Sequence, residues 1–501
     1  MRAVLAGDLG GSALKAALVD QAGRFLAQAA VARPLPMDQQ GFSELDPELW
    51  WTDFLEACRD LFKAARDVEV VGVCLGGLTR TQVFLDATGR SIRPAITWAD
   101  ARAAREAERI SQVRDELGVK TWGPINAYHT LARLVWLQAR EPHNFARLAL
   151  VLEPKDYLIF RLTGRPVGDA VSQARLLTLE GQPAQSLLEK LGLKPSFFPA
   201  LLEPQDQAGS IAPGLPEPLD RLAGRPIFAG SMDAWLAAVG LGALEPGQVF
   251  NVSGTSEVLG LVTDRPREAP GLVTLPWGRN RFQIGGPSQA GADCLAWLAE
   301  VLDREVGDLL SDLSGREKAG EPLLFLPYLR GERTPLWEPD ARGLFLGLGR
   351  SHHRLDLARA VIEGVALANC QVLTLAENAA GAPAQEVRLG GGAARSAVWA
   401  QIKADVLDRP VIRPACPESG LLGAAVTAFT GLGEFSDLAQ AAEALVKIEA
   451  VHRPDPLKTG YYRRLYDLWL EVQTAGLELS KELVKLERDK TDRNEVIRRT
   501  E

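Results

Sequence analysis

One motif occurs twice in this chain, and the repeat limits the folds open to it. Ala3 to Ala6, then Asp8-Leu9-Gly10-Gly11-Ser12, then Leu14 to Val19 spell strand, Gly/Ser turn, strand. Val249 to Val252, Gly254-Thr255-Ser256 and Val258 to Val262 spell it again. The copies lie roughly 245 residues apart, which excludes a short-period solenoid and predicts two related lobes facing a shared cleft. A tight small-residue turn between strands exposes amides and hydroxyls that can cradle a phosphate. An ordinary hairpin explains either copy taken alone. At 501 residues the chain exceeds a single ordinary core, so two domains are expected in any case.

Residues able to do chemistry cluster around these turns. The first copy carries Asp8, a carboxylate able to hold hydrated Mg²⁺, and Lys15, which either faces phosphate or is a solvated strand residue. Just ahead of the second copy, Ile227 to Ala229 is a short apolar strand running through Gly230 and Ser231 into a helix-forming run, Ala234 to Leu241. Asp233 stands at that helix start, where the dipole favours its ionised form and where a carboxylate can take a proton from a substrate hydroxyl. The competing reading is a plain helix cap.

Three further strand ends read the same way. Val68 to Leu75 is a continuous apolar run that ends in Gly76-Gly77-Leu78-Thr79-Arg80. Polar groups just past a buried strand are candidate ligand contacts, with a surface loop as the alternative. Pro94 to Asp100 gives a short strand ending at Trp98 and Asp100, an aromatic face near a carboxylate that suits a polyhydroxylated molecule; Trp98 as core is the other reading. Val387 to Leu389 runs into Gly390-Gly391-Gly392-Ala393-Ala394 and the helix Ser396 to Leu407. Glycines there would let a nucleoside approach the backbone at a helix start, although helix–strand packing also calls for them.

Between these points the chain alternates strands and helices. Asp46 with Pro47 predicts a capped helix start, Thr130 a helix through Arg140, and Gly164 the end of a helix from Pro154. Leu355 to Ala379 predicts a long helix, and the closing tail from Arg488 to Glu501 is so densely charged that it should fray.

Bulk properties narrow the function classes. A net charge of −8 argues against a nucleic-acid partner. Five scattered cysteines form no Cys-x-x-Cys pair and five histidines show no ligand spacing, so neither zinc nor a disulfide framework is indicated, and a reducing cytoplasm fits. Asp8 interrupts any signal core, and the most apolar stretches fall short of the roughly 18 residues a membrane span needs, so no membrane partner is expected.

Taken together the pieces resemble the FGGY carbohydrate kinases over roughly residues 4 to 470. GLFLGLGRSHHRLDLARAVIEG at 343 to 364 fits the family's second signature. RPAITWADAR at 93 to 102, PKDYL at 154 to 158, FLPYLRGERTP at 325 to 335 and GGAARSAVW at 391 to 399 agree with it. The resemblance implies an α/β fold of two actin-like (ribonuclease H-like) lobes of the hexokinase/actin group around a central cleft. It implies an N-terminal lobe over 1–245, a C-terminal lobe over 246–480 and a tail over 481–501. It also implies ATP-dependent phosphorylation of a sugar or polyol hydroxyl with Mg²⁺, a small-molecule acceptor as the partner and a homodimer as a possible assembly.

Carried over position by position, Asp8 looks like the magnesium ligand and Gly10, Gly11, Ser12 and Lys15 like the first phosphate loop. Gly254, Thr255 and Ser256 look like the second, while Gly391, Gly392, Ala393 and Arg395 fall in the adenosine segment and Asp233 on the catalytic aspartate. Thr79, Arg80, Trp98, Asp100, Tyr128 and Asp233 are the implied substrate contacts. The chain departs from the family at Thr79-Arg80, which is neither the Met-His pair of xylulokinases nor the Arg-Glu pair of glycerol kinases, and at Arg133, where lysine is usual. Motif order leans toward the pentulose kinases and so toward a ketopentose acceptor, with glycerol or another polyol as the alternative. An actin-like ATPase would use the same nucleotide cleft to drive a conformational cycle and would hydrolyse ATP without a sugar substrate, whereas a silent sugar sensor need not keep Asp8, both Gly/Ser turns and Asp233 together.

Overall fold

The computed structural model describes the chain apart from Gln40, residues 316–320 and Glu501; the side chains of 488–500 also lie outside the described residues, and with them the charged tail expected to fray. The chain forms two compact units that are not contiguous in sequence. One comprises Met1–Leu244, Leu275–Phe282 and Glu418–Lys447; the other comprises Glu245–Thr274, Gln283–Pro417 and Ile448–Glu501.

In the first unit the N-terminal hairpin is strand Arg2–Leu9 paired antiparallel with Ala13–Asp20. Both strands are apolar on both faces, as a sheet covered on both sides requires. Ala3, Leu5 and Leu9 alternate into the core with Trp50, Phe54 and Leu61 of helix Pro47–Ala64. Val4 and Ala6, of opposite parity, are buried too, and helix Ser419–Gly431 packs on the same strand. The full order is Gln207–Ser210, Pro226–Phe228, Glu69–Gly77, Arg2–Leu9, Ala13–Asp20, Phe25–Ala32. The three central strands, Pro226–Phe228, Glu69–Gly77 and Arg2–Leu9, run parallel, so their carboxyl ends share one edge.

The second unit repeats the scheme. Its hairpin, Gln248–Ser253 with Glu257–Thr263, lies beside the parallel strand Glu386–Gly391, followed by parallel Val411–Pro414 and antiparallel Ile448–His452. Phe282–Pro287 and Val273–Pro276 complete the other side. Helix Arg354–Ala380 is long and apolar enough to cross a membrane by length and composition, but 72% of its most apolar window is buried within the protein, where it is a core helix.

Several local expectations meet the structure directly. Asp46 caps the helix that begins at Pro47, and Gly164 closes Pro154–Thr163 in the left-handed conformation. Thr130 is not the cap of its helix: His129 is, with its Nδ1 accepting from the Leu131 amide at 3.2 Å, so Thr130 is the first helical residue of Thr130–Arg140. The strand expected over 94–100 is only Ala95–Ile96.

Candidate active site

The loop after Pro226–Phe228 is shaped by one glycine. Gly230 has φ 60°, and a Cβ there would lie 1.8 Å from the Leu75 carbonyl oxygen, so the chain can turn this tightly under the neighbouring strand only with glycine. Met232 then occupies the cap position without a capping side chain, and Asp233 is the first residue of helix Asp233–Leu241. The carboxylate is therefore not the cap. Its Oδ1 accepts from the Ala234 amide at 2.7 Å, and it is open to solvent. Among the described residues no lysine or arginine forms an ion pair with it. Although the residue as a whole keeps an exposed surface, protein packed around the carboxylate raises its pKa above the usual carboxylate range, and the Ala234 amide and Arg80 only partly offset this.

Asp8 lies close by in the first hairpin. It faces Lys15 across the strand pair, and Asp8, Asp233, Lys15 and Glu418 form one electrostatic cluster. Burial first, then the Asp233 charge, push the Asp8 carboxyl up to about 7. Its Oδ1 is buried with no hydrogen-bond partner among the described residues. Helix Ser419–Gly431 presses against the same group: a Cβ on Gly420 would lie 2.8 Å from Asp8 Oδ2. Lys15 does not project freely, because its Nζ is 2.7 Å from Glu418 Oε2. Beyond Asp8 the turn passes through Gly10, whose amide donates to Ala13 at 3.0 Å, then Gly11 and the exposed Ser12.

The loop after Glu69–Gly77 opens a shallow recess lined by Thr79, Arg80, Tyr128, Glu153, Ser172 and Arg175, among others. Arg80 is held at φ 56°, an uncommon conformation for a residue with a side chain. Glu153 fastens that turn, its Oε1 accepting from both the Thr79 hydroxyl and the Arg80 amide at 2.8 Å. Burial pushes the Glu153 carboxyl up to about 8, and its Oε2 has no partner among the described residues. His129, also in the lining, is buried and pushed down to about 3, so it is a neutral imidazole.

Two expected substrate contacts sit elsewhere. Asp100 is fully buried, its Oδ2 accepting from the Ser43 amide at 2.7 Å and from Arg102 Nη2 at 2.6 Å. Burial raises its pKa, but these partners outweigh burial and hold it below the usual range, which makes it half of an internal ion pair rather than a pocket residue. Trp98 is 43% exposed and stands over the Gly11 turn, outside the recess lining. Arg133 explains why this wall is rigid: fully buried, it donates to the carbonyls of Ile96 at 3.1 Å and Asp100 at 2.9 Å and to those of Arg80 and Thr97. A lysine has too few donors to serve all of these carbonyls.

In the second unit the two glycine-rich turns expected to hold nucleotide are neighbours. Ser253 and Gly391 are register partners; Gly391 has φ 79°, and a Cβ on it would lie 2.3 Å from the Ser253 carbonyl. Thr255, Gly392 and Arg395 are exposed there, Ser256 is half-buried, and Ala393 points inward. The Gly254 amide closes the turn onto Ser256 at 3.0 Å, and its carbonyl accepts from Ala292 at 2.9 Å. Beneath, buried Lys403 lies 2.8 Å from Glu257, which also accepts from the Ser253 hydroxyl, so the turn is anchored to helix Ala397–Leu407.

The model of the N-terminal domain of the FGGY family of carbohydrate kinases matches residues 3–240, and that of its C-terminal domain residues 249–432. The chain belongs to the FGGY family of carbohydrate kinases. It is 32% identical to a xylulose kinase of Escherichia coli (strain K12), covering 93% of this chain and 99% of that one. Among solved structures it is similar to gluconate kinase from Lactobacillus acidophilus (TM-score 0.86, 26% identity, 96% and 99% covered). Ligand-bound xylulose kinase from the same organism gives a TM-score of 0.85 at 27% identity, with 95% and 98% covered. This carbohydrate kinase thus has the two-domain α/β fold of its family, and it is xylulokinase-like.

Sequence reasoning missed the residues that join this kinase's loops. Glu418 and Gly420 carry no motif, yet they meet Lys15 and Asp8. Glu153 and Asp169 gave no local signal; only Lys155, inside the matching PKDYL segment, could have drawn attention to that neighbourhood.

Proposed function

We propose that this kinase transfers the γ-phosphoryl group of ATP to a hydroxyl of a sugar or polyol, with Asp233 as general base. The observation that carries the reading is the state of Asp233: exposed, free of any ion pair among the described residues, and first in a helix at the carboxyl edge of the sheet. In the reaction the acceptor oxygen bonds to phosphorus, the bond to the ADP oxygen breaks, and the hydroxyl proton passes to Asp233. A carboxylate whose proton affinity is raised above the ordinary range is better suited to that transfer.

The recess around Thr79, Arg80 and Tyr128 is the acceptor site in this reading. Gly10, Gly11, Ser12 and Lys15 of the first turn, and Gly254, Thr255, Ser256, Gly391, Gly392, Ala393 and Arg395 of the second unit, serve the nucleotide. Asp8 suits magnesium: a buried carboxylate oxygen without a partner calls for a cation. Among the described residues no three His, Cys, Asp or Glu side chains gather into a metal cage, which is how an ion that keeps its waters and binds phosphates is held. Bound there, Mg²⁺ would neutralise phosphate charge. A ketopentose is the first acceptor to test, since xylulose kinases are among the relatives; the cytoplasm, where ATP is made, is the fitting location.

A coupled ATP-consumption screen over D-xylulose, D-ribulose, xylitol, glycerol, D-fructose and D-gluconate tests the reading. Sugar-dependent turnover with a ketopentose preferred is the expected result; equal ATP consumption without any acceptor would favour an ATPase instead. Asp233→Asn should lower turnover by a factor on the order of 10² to 10⁴ while acceptor and nucleotide affinities stay within a few-fold. Near-normal turnover of that variant would remove Asp233 from the mechanism.

A further inference from the structure

Three charged side chains are entirely buried behind the acceptor recess. Lys155 Nζ lies 2.5 Å from Asp156 Oδ1 and 2.8 Å from Asp169 Oδ2, and it donates to the Ala229 carbonyl at 3.2 Å. Asp169 ends the short strand Val167–Asp169, and its other oxygen collects three donors. These are the Ser231 hydroxyl at 2.7 Å, the Ser172 amide at 2.8 Å and the Val171 amide at 3.1 Å. One carboxylate therefore grips two loops at once. Ser172 belongs to the recess wall, and Ser231 stands two residues before Asp233.

The network reaches the third wall as well. Lys155 and Asp156 open helix Pro154–Thr163 directly after Glu153, which fastens the Thr79–Arg80 turn. Stability alone does not account for such an arrangement, because desolvating a cation and two carboxylates costs as much as their attraction returns, and an apolar cluster of the same volume would hold the core as well. What a polar cluster supplies and an apolar one lacks is direction: each bond has a length and an angle, so the loops cannot slide against one another.

We infer that Asp169, held in place by Lys155, is a positioning residue for phosphoryl transfer, setting Asp233 against the recess wall through Ser231. The inference rests on the reading of Asp233 as the proton acceptor. A base displaced by a fraction of an ångström keeps its chemistry but loses alignment with the acceptor hydroxyl, so the loss appears in turnover and not in binding.

Asp169→Ala would strand a buried lysine and lose the fold, so the informative variant is Ser231→Ala, which removes one hydroxyl and leaves the ion pairs intact. Three quantities are read on the full chain: kcat and KM with the fastest acceptor of the screen above, the melting temperature, and hydrogen exchange of amides at 230–234 and 170–173 in the free protein. The variant should lose about tenfold in kcat with acceptor KM within about twofold. Its melting temperature should stay within a few degrees, and exchange should quicken in both segments. Unchanged exchange in 230–234 overturns the inference whatever the kinetics. So does wild-type kcat in a background where Asp233→Asn is inactive, or a kcat loss matched by an equal loss of folded protein. If Asp233→Asn keeps its turnover, the base reading is what has failed, and the exchange data alone then decide whether Asp169 orders this loop.

Discussion

Glu153 makes the stability of this protein depend on pH in a direction opposite to that of most carboxylates. Its pKa rises from 4.5 in the unfolded chain to about 8 in the folded one, chiefly because burial disfavours the charge. Below 4.5 both states hold the proton and there is no penalty. Between 4.5 and 8 the unfolded state releases it while the folded state keeps it, so this group's contribution to stability is lost as pH rises through the window. Glu153→Gln keeps an oxygen for Thr79 and Arg80 and removes the titration. Thermal melts of the variant should fall less steeply than wild type over that range, and parallel slopes would show that Glu153 is ionised in the folded state. Asp8 and Asp233 stand out in the sequence as candidates because each sits beside a strand end and a Gly/Ser turn, a local pattern with few structural uses. The sequence could not show that Glu153 is buried, since burial depends on chain remote in sequence. Asp100 misled for a related reason: an acid beside tryptophan suits a sugar, but Arg102, two residues on, folds back and takes the carboxylate.

Helices Asp233–Leu241 and Ser419–Gly431 touch backbone to backbone. A Cβ on Gly423 would lie 1.8 Å from the Leu236 carbonyl, and one on Gly240 would lie 1.9 Å from the Ser419 carbonyl. This contact sets the helix that starts at Asp233 against the helix that brings Gly420 to Asp8. Gly423→Ala must push the helices apart, and overpacking of this kind costs about 1–3 kcal/mol. Denaturant titration should show that loss, and turnover should fall with it, whereas Gly460→Ala, inside a helix where no atom lies within contact of the added carbon, should leave stability, Asp233 and Asp8 undisturbed. Full wild-type stability of Gly423→Ala would mean that the helices have room to part. The first of these helices was legible as an apolar run, and both hairpins as apolar strands broken by a Gly/Ser turn. Their partners were not, because a helix buried all round carries no stripe to say what it faces.

At the scale of the whole molecule, the first unit is completed from two distant places. Helix Ser419–Gly431 covers strand Arg2–Leu9, and the Trp277 carbonyl accepts from Trp235 Nε1 at 3.1 Å. A fragment of residues 1–244 should therefore be compact but unable to melt cooperatively, binding a hydrophobic dye, and attaching 418–447 through a flexible linker should restore a sharp transition. A cooperative melt of 1–244 alone would show that the late helix is dispensable. Two lobes were legible from the repeated hairpin, but no periodicity announces that a helix returns to the other half. That return also orders events on the ribosome. When Leu244 emerges, one face of the sheet still lacks its cover, and roughly 190 residues must follow before Gly431 is made, on the order of 10 to 40 s at about 5–20 residues per second. Through that interval Val4, Ala6 and their neighbours are bare hydrocarbon in the nascent chain, so the supply of chaperone during translation, more than the stability of the finished kinase, should set how much of it a cell obtains.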